Sequence, residues 1–148
     1  MKTKITLISI ILLLISCQIS FAQSRRSSGN DGAKFGFFDM REPALGLRLN
    51  LGHVSPHLRA QFDGDLILSG QPRAILDVSL RYMFERQRYT QPYVGGGLGA
   101  ALGDDNSIPA HLVGGFNFTI DTLPVFVEMK IHLSRPDAVS LWFGYRFQ

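Results

Sequence analysis

From about Phe35 to the end of the chain, apolar and polar side chains alternate with a period of two. Leu45, Leu47, Leu49 and Leu51 are interleaved with Gly46, Arg48, Asn50 and Gly52, and Leu76, Val78, Leu80, Tyr82 and Phe84 with Asp77, Ser79, Arg81, Met83 and Glu85. Val125, Val127, Met129, Ile131 and Leu133 alternate with Phe126, Glu128, Lys130 and His132. Val139, Leu141, Phe143, Tyr145 and Phe147 alternate with Ser140, Trp142, Gly144 and Arg146. Shorter or noisier versions occupy 57–68, 91–102 and 109–121. A strand turns successive side chains to opposite faces, so alternation sustained this long predicts strands. No window shows a comparable helical period. The nearest, 74–86, matches period two completely and the helical period only in part. The turns HVSP (53–56), SGQP (69–72), GDDNSIP (103–109), DTLP (121–124) and SRPD (134–137) are short enough for neighbouring strands to pair antiparallel. That makes seven strands, with KFGFFDM (34–40) as a shorter eighth.

An antiparallel meander of eight strands closes most simply into an up-and-down barrel, which removes both sheet edges. Three features turn its apolar face outward. Phe62, Phe84, Phe116, Phe118, Phe143 and Phe147 belong to an apolar face too bulky for an interior that holds only a modest filling. The opposite face carries Gly46, Gly52, Gly95, Gly97, Gly99, Gly115 and Gly144 with single charges between them, and Lys130 is its one expected lysine. Strands of about ten residues also suit a tilted crossing of a bilayer. The expected fold is therefore all-β: an eight-stranded antiparallel up-and-down transmembrane β-barrel spanning 34–148. A soluble periplasmic lipid-binding barrel, with the apolar face inside, is the alternative.

The N-terminus reads differently. Lys2 and Lys4, the apolar run from Ile5 to Ile15, and Ser20-Phe21-Ala22 make a secretory signal peptide of residues 1–22, too short in its apolar part to span a bilayer. Leu14-Ile15-Ser16-Cys17 resembles a lipobox, leaving two fates for Cys17: acylation, or removal with the signal. Removal is preferred because Ser20-Phe21-Ala22 suits cleavage, and it leaves a mature chain without thiol chemistry. Residues 23–33, polar and aperiodic, form a flexible arm. Cleavage also removes two of the fifteen basic side chains, leaving thirteen against twelve acidic ones. That scattered balance suggests no nucleic-acid partner.

The run PYVGGGLGAALG (92–103) contains Gly95, Gly97 and Ala100 in the spacing G-x-G-x-x-A, with Asp121 roughly 20 residues on, as in a dinucleotide site. Such a site needs a helix beginning at the third small residue. Here Ala101-Leu102-Gly103-Asp104-Asp105-Asn106 leads into a turn instead. At period two the glycines face inward, where they leave room for Arg81 and Arg48; no nucleotide is expected.

The ending Trp142-Phe143-Gly144-Tyr145-Arg146-Phe147, with the signal peptide and alternating strands, resembles the small OmpA/OmpX-type outer-membrane β-barrels of Gram-negative bacteria. The resemblance covers nearly the whole mature length, with Gln148 a one-residue departure after the last aromatic. It implies residence in the outer membrane and insertion by the barrel-assembly machinery through the last strand. It also implies contact with outer-membrane lipid and lipopolysaccharide. Both termini would face the periplasm, making SGQP, GDDNSIP and SRPD outer loops.

Arg48, Arg59, Asp63, Asp77, Arg81, Glu85, Glu128, Lys130 and Arg146 are expected inside. Eight strands leave no aqueous channel, so these charges should form a closed network filling the lumen, with an ion or proton path as the lesser reading. Four histidines raise the question of a metal. His53 and His57 are separated by Pro56 in a turn; His111 and His132 should point inward near one rim without a third ligand. His132 and Ser134 also resemble the His/Ser pair of the outer-membrane lipid A deacylases, but the last strand offers Trp142 and Gly144 where the orienting acid should stand. Trp142 should face the lumen over Lys130 or Arg146. No catalytic, cofactor or metal residues are assigned, and the lipid-modifying enzyme stays as the alternative to a non-enzymatic barrel.

Overall fold

The computed structural model describes residues 31–69, 73–103, 107–133 and 137–147. The signal segment with Cys17, the arm up to residue 30, and Ser134 lie outside these. The strands are β1 (Gly32–Phe38), β2 (Glu42–His53), β3 (Leu58–Ile67), β4 (Arg73–Met83), β5 (Thr90–Leu102), β6 (Ala110–Ile120), β7 (Leu123–His132) and β8 (Ala138–Arg146). Each pairs with the next, and β8 returns to β1, so the sheet closes into an eight-stranded antiparallel barrel. At the seam Phe35 lies opposite Phe143 and Phe37 opposite Leu141. With an even number of strands, β1 begins and β8 ends at one mouth, the proximal end. The turn after β1 and the connections after β3, β5 and β7 lie at the distal end.

The expected eighth strand exists but is shifted. Gly32 and Ala33, expected in the arm, already pair with Arg146 and Tyr145 of β8. At the other end Asp39 and Met40 leave the strand with φ of 49° and 55°, making the tight turn into β2. Alternation alone is blind to such a turn. β4 likewise stops at Met83, three residues short of the 74–86 window. β2 carries a bulge between Asn50 and Gly52. There Gly52 adopts φ 136° and its N–H donates to Asn50 Oδ1 at 3.1 Å.

The wall's polarity is the reverse of a water-soluble domain. Leu80, Val78, Leu98 and Phe116 are 48%, 50%, 62% and 53% exposed, whereas Asp63, Glu128, Lys130 and Ser140 are wholly buried. Exposed apolar surface this continuous needs an apolar surrounding. The soluble lipid-binding alternative fails here, because it requires an apolar interior.

The inward glycines create the room for this interior. Gly95, Gly97 and Gly99 on β5 stand directly opposite Arg81, Ser79 and Asp77 on β4. A Cβ at Gly95 would meet Arg81 Cα at 2.9 Å, and one at Gly97 would meet Ser79 Cα at 2.7 Å. Across the barrel, Gly115 faces Tyr93, Gly144 faces Phe126 and Gly46 faces Asp65. The PYVGGGLGAALG run therefore lies almost wholly within β5, with no helix after it, as strand parity predicts.

Candidate functional site in the lumen

The strand faces place four cations and four anions in the lumen: Lys34, Arg48, Arg81 and Lys130 with Asp63, Asp65, Asp77 and Glu128, none more than 4% exposed. Burying a charge costs several kcal/mol unless it is paired, so the geometry of pairing decides whether this interior is tolerable. Every one of the eight is paired. Glu128 on β7 accepts from Arg48 of β2, from Arg81 Nη1 of β4 at 2.5 Å and from the Tyr93 hydroxyl of β5 at 2.8 Å. Asp63 on β3 takes the other arm of Arg81 and Lys34 Nζ at 3.1 Å. Lys130 reaches Asp77 at 2.6 Å and Asp65 at 3.2 Å, while Lys34 lies 2.8 Å from Asp65. Arg48 further stacks over the Phe126 ring at 3.7 Å. At their ordinary charges the two guanidiniums, two ammoniums and four carboxylates thus sum to zero inside the wall, and each ion is held by partners from other strands.

Above this layer, toward the distal end, Phe38, Ala44, Ile67, Ile75, Ala138 and Trp142 pack into an apolar plug. Between plug and ions lie the two inward histidines. His111 Nδ1 is 3.2 Å from Asp77 Oδ1, and His132 Nε2 is 3.3 Å from Ser140 Oγ. The two rings are 6.1 Å apart, centroid to centroid. The register expected from parity, His111 opposite His132, is the one observed. Among the described residues no three His, Cys, Asp or Glu side chains converge as metal ligands. His53 and His57 are exposed at the proximal end, far from this pair in the barrel.

Three expectations need correction. Lys130 is not the lone inward lysine; Lys34 of β1 is buried beside it. Trp142 lies under Lys34, with Nζ 4.4 Å from the ring, rather than under Lys130 or Arg146. The staggered register of a closing barrel brings β1 over β8, which parity along one strand does not reveal. Glu85 is exposed, because β4 has already ended and its side chain no longer obeys the strand's alternation. Arg59 and Arg146 do point inward but stay half-buried at the proximal mouth, outside the balanced network. Asp65, Tyr93 and Ser140 complete the site. Each had a legible signal: Asp65 shares a face with Asp63, Tyr93 with Gly95, and Ser140 with Trp142.

No protein-family model and no curated protein sequence matches the chain. Solved structures do. A designed transmembrane β-barrel superposes with a TM-score of 0.61 at 18% identity, covering 79% of this chain and 92% of that one. The N-terminal β-barrel domain of OprF from Pseudomonas aeruginosa gives 0.58 at 11% identity, covering 82% of this chain and 100% of that one. The outer membrane protein Ail of Yersinia pestis gives 0.53 at 11% identity, with 81% and 100% covered. At such identities the likeness is one of fold. Fold and inverted polarity together define the class: a small eight-stranded transmembrane β-barrel with a filled lumen.

Proposed function

We propose that the protein is an integral outer-membrane barrel, exported by residues 1–22, with a structural, envelope-stabilising or surface-interaction role and no enzymatic activity. The observation that carries this reading is the filled interior: among the described residues, eight mutually paired buried ions lie beneath an apolar plug, and the serine that His132 contacts is itself buried. The outward apolar belt supports residence in lipid. The terminal Phe143, Tyr145 and Phe147 support delivery by the barrel-assembly machinery, and lipopolysaccharide is the natural neighbour of the distal rim.

The lipid-modifying alternative pairs His132 with Ser134, which lies outside the described residues; within them His132 contacts Ser140. A nucleophile must be reached by its substrate. Ser140 is wholly buried and His132 is 4% exposed, both beneath the plug, which favours a packing role for the pair. Fractionation of expressing cells with heat-modifiable gel migration tests the location. Incubation with lipopolysaccharide and with phospholipid, followed by mass analysis for released acyl chains, tests the enzyme. Acyl release lost in His132→Ala would replace the non-enzymatic reading.

A further inference from the structure

Charge pairing inside the barrel stops abruptly at the proximal mouth. Arg59 near the start of β3 and Arg146 at the end of β8 both point inward there. Arg86 follows β4 by three residues on the connection to β5, at the same end. Arg59 and Arg146 are each about half-buried at this mouth, and Arg86 is exposed beside it. Arg59 stands directly across the sheet from Arg81, another like charge, and Arg81 is already committed to Asp63 and Glu128.

Acids are present at this end but are not used. Asp31 spends its Oδ1 on the Asn50 N–H at 2.7 Å, Glu85 is exposed, and Asp121 sits in the β6–β7 turn with φ 55°. Among the described residues, none lies within ion-pair distance of Arg59, Arg86 or Arg146. The Nε atoms of Arg59 and Arg146 are shielded from solvent and meet no acceptor there. Arg48 and Arg81, deeper in the lumen, each hold carboxylates.

We propose that Arg59, Arg86 and Arg146 form a binding site for a phosphoryl group at the proximal mouth of the barrel. Guanidinium forks match phosphate oxygens with paired, charge-assisted hydrogen bonds, and a multiply charged anion supplies the acceptors that Arg59 Nε and Arg146 Nε lack. The site draws on β3, β8 and the β4–β5 connection, so its geometry is set by barrel closure rather than by one flexible loop. The phosphoryl group reaches it either on a soluble molecule or on the headgroup of an anionic phospholipid in the adjoining leaflet.

Inorganic pyrophosphate titrated calorimetrically into the purified full chain in a nonionic detergent is the first test, with folding verified by heat-modifiable migration. Saturable binding is expected, weakened by salt and reduced at least roughly tenfold in the folded double variant Arg59→Gln/Arg146→Gln. Arg88→Gln, on the same connection but stacked on Tyr89, should bind as the unmutated chain does. Repeating the titration in nanodiscs separates the sources. Competition by phosphatidylglycerol but not phosphatidylcholine marks the lipid headgroup, whereas equal binding in both marks a soluble ligand. Should the double variant fail to fold, protection of Arg59 and Arg146 from phenylglyoxal by pyrophosphate gives the same readout on the unmutated chain. Absence of saturable binding and of protection, or undiminished binding by the folded double variant, would overturn the proposal.

Discussion

Arg81 on β4 lies directly across from Gly95 on β5, and the missing side chain at Gly95 is the space its stem occupies. From there the guanidinium spans the lumen to Glu128 and Asp63. The pairing joins a backbone feature to an electrostatic one: a side chain at 95 would crowd the arginine's stem, and without the arginine two buried carboxylates lose a partner.

Removing that partner should therefore be costly. Arg81→Ala is expected to lower stability by about 3–5 kcal/mol, because Glu128 and Asp63 stay buried with less compensation. Arg41→Ala, at an exposed position in the β1–β2 turn, should change little. Urea unfolding followed by tryptophan fluorescence of Trp142 measures both.

The glycines make a second, separable test. Gly97→Ala should destabilise by about 1–3 kcal/mol, since the new methyl meets the β4 backbone, which has no rotamer to move. Gly114→Ala should be tolerated, its nearest neighbour standing 3.9 Å away. Comparable losses at the two sites would contradict the close approach described for β5.

On the outer face, Leu80→Arg should cost about 2–4 kcal/mol if Leu80 sits near mid-bilayer. Spin labels at 78, 80 and 82 should be relaxed by lipid-soluble oxygen and protected from water-soluble quenchers. Protection from both would indicate a protein-covered surface.

A filled lumen should not conduct. Planar-bilayer recordings of the unmutated barrel are expected to lack stable large steps; their presence would make a pore the leading function. Trp142→Ala with Phe38→Ala thins the distal plug, and the paired ions beneath should still hold the barrel closed.

Much of this was legible before any coordinates. Leu76 to Tyr82 reveal their facing because alternation is a local property, and Phe143, Tyr145 and Phe147 do the same for the last strand. Parity also puts Arg48, Arg81, Glu128 and Lys130 inside. It fails where the answer depends on another strand or on a strand's end. Which strand supplies the cation over Trp142 is decided by the β1–β8 register, and Glu85 escapes the lumen because β4 stops at Met83. Lys34 was hidden by the short β1 pattern beside Phe35 and Phe37, and Ser140 as a partner of His132 needs the β7–β8 pairing.

The position of Glu128 and Lys130 on one strand has a consequence for how the molecule comes together. Their partners are on β1 to β5, while their immediate neighbours across β6 and β8 are Gly115, Val113, Trp142 and Ser140. A hairpin made of β7 with either neighbour consequently holds a carboxylate and an ammonium without the partners on other strands that bind them in the lumen. Those partners are met only when β7 is brought opposite β2, β3 and β4 by curling the whole sheet. Ring closure and completion of the ion network are then a single event, so an open sheet in lipid is an unfavourable intermediate and assembly tends toward all-or-none.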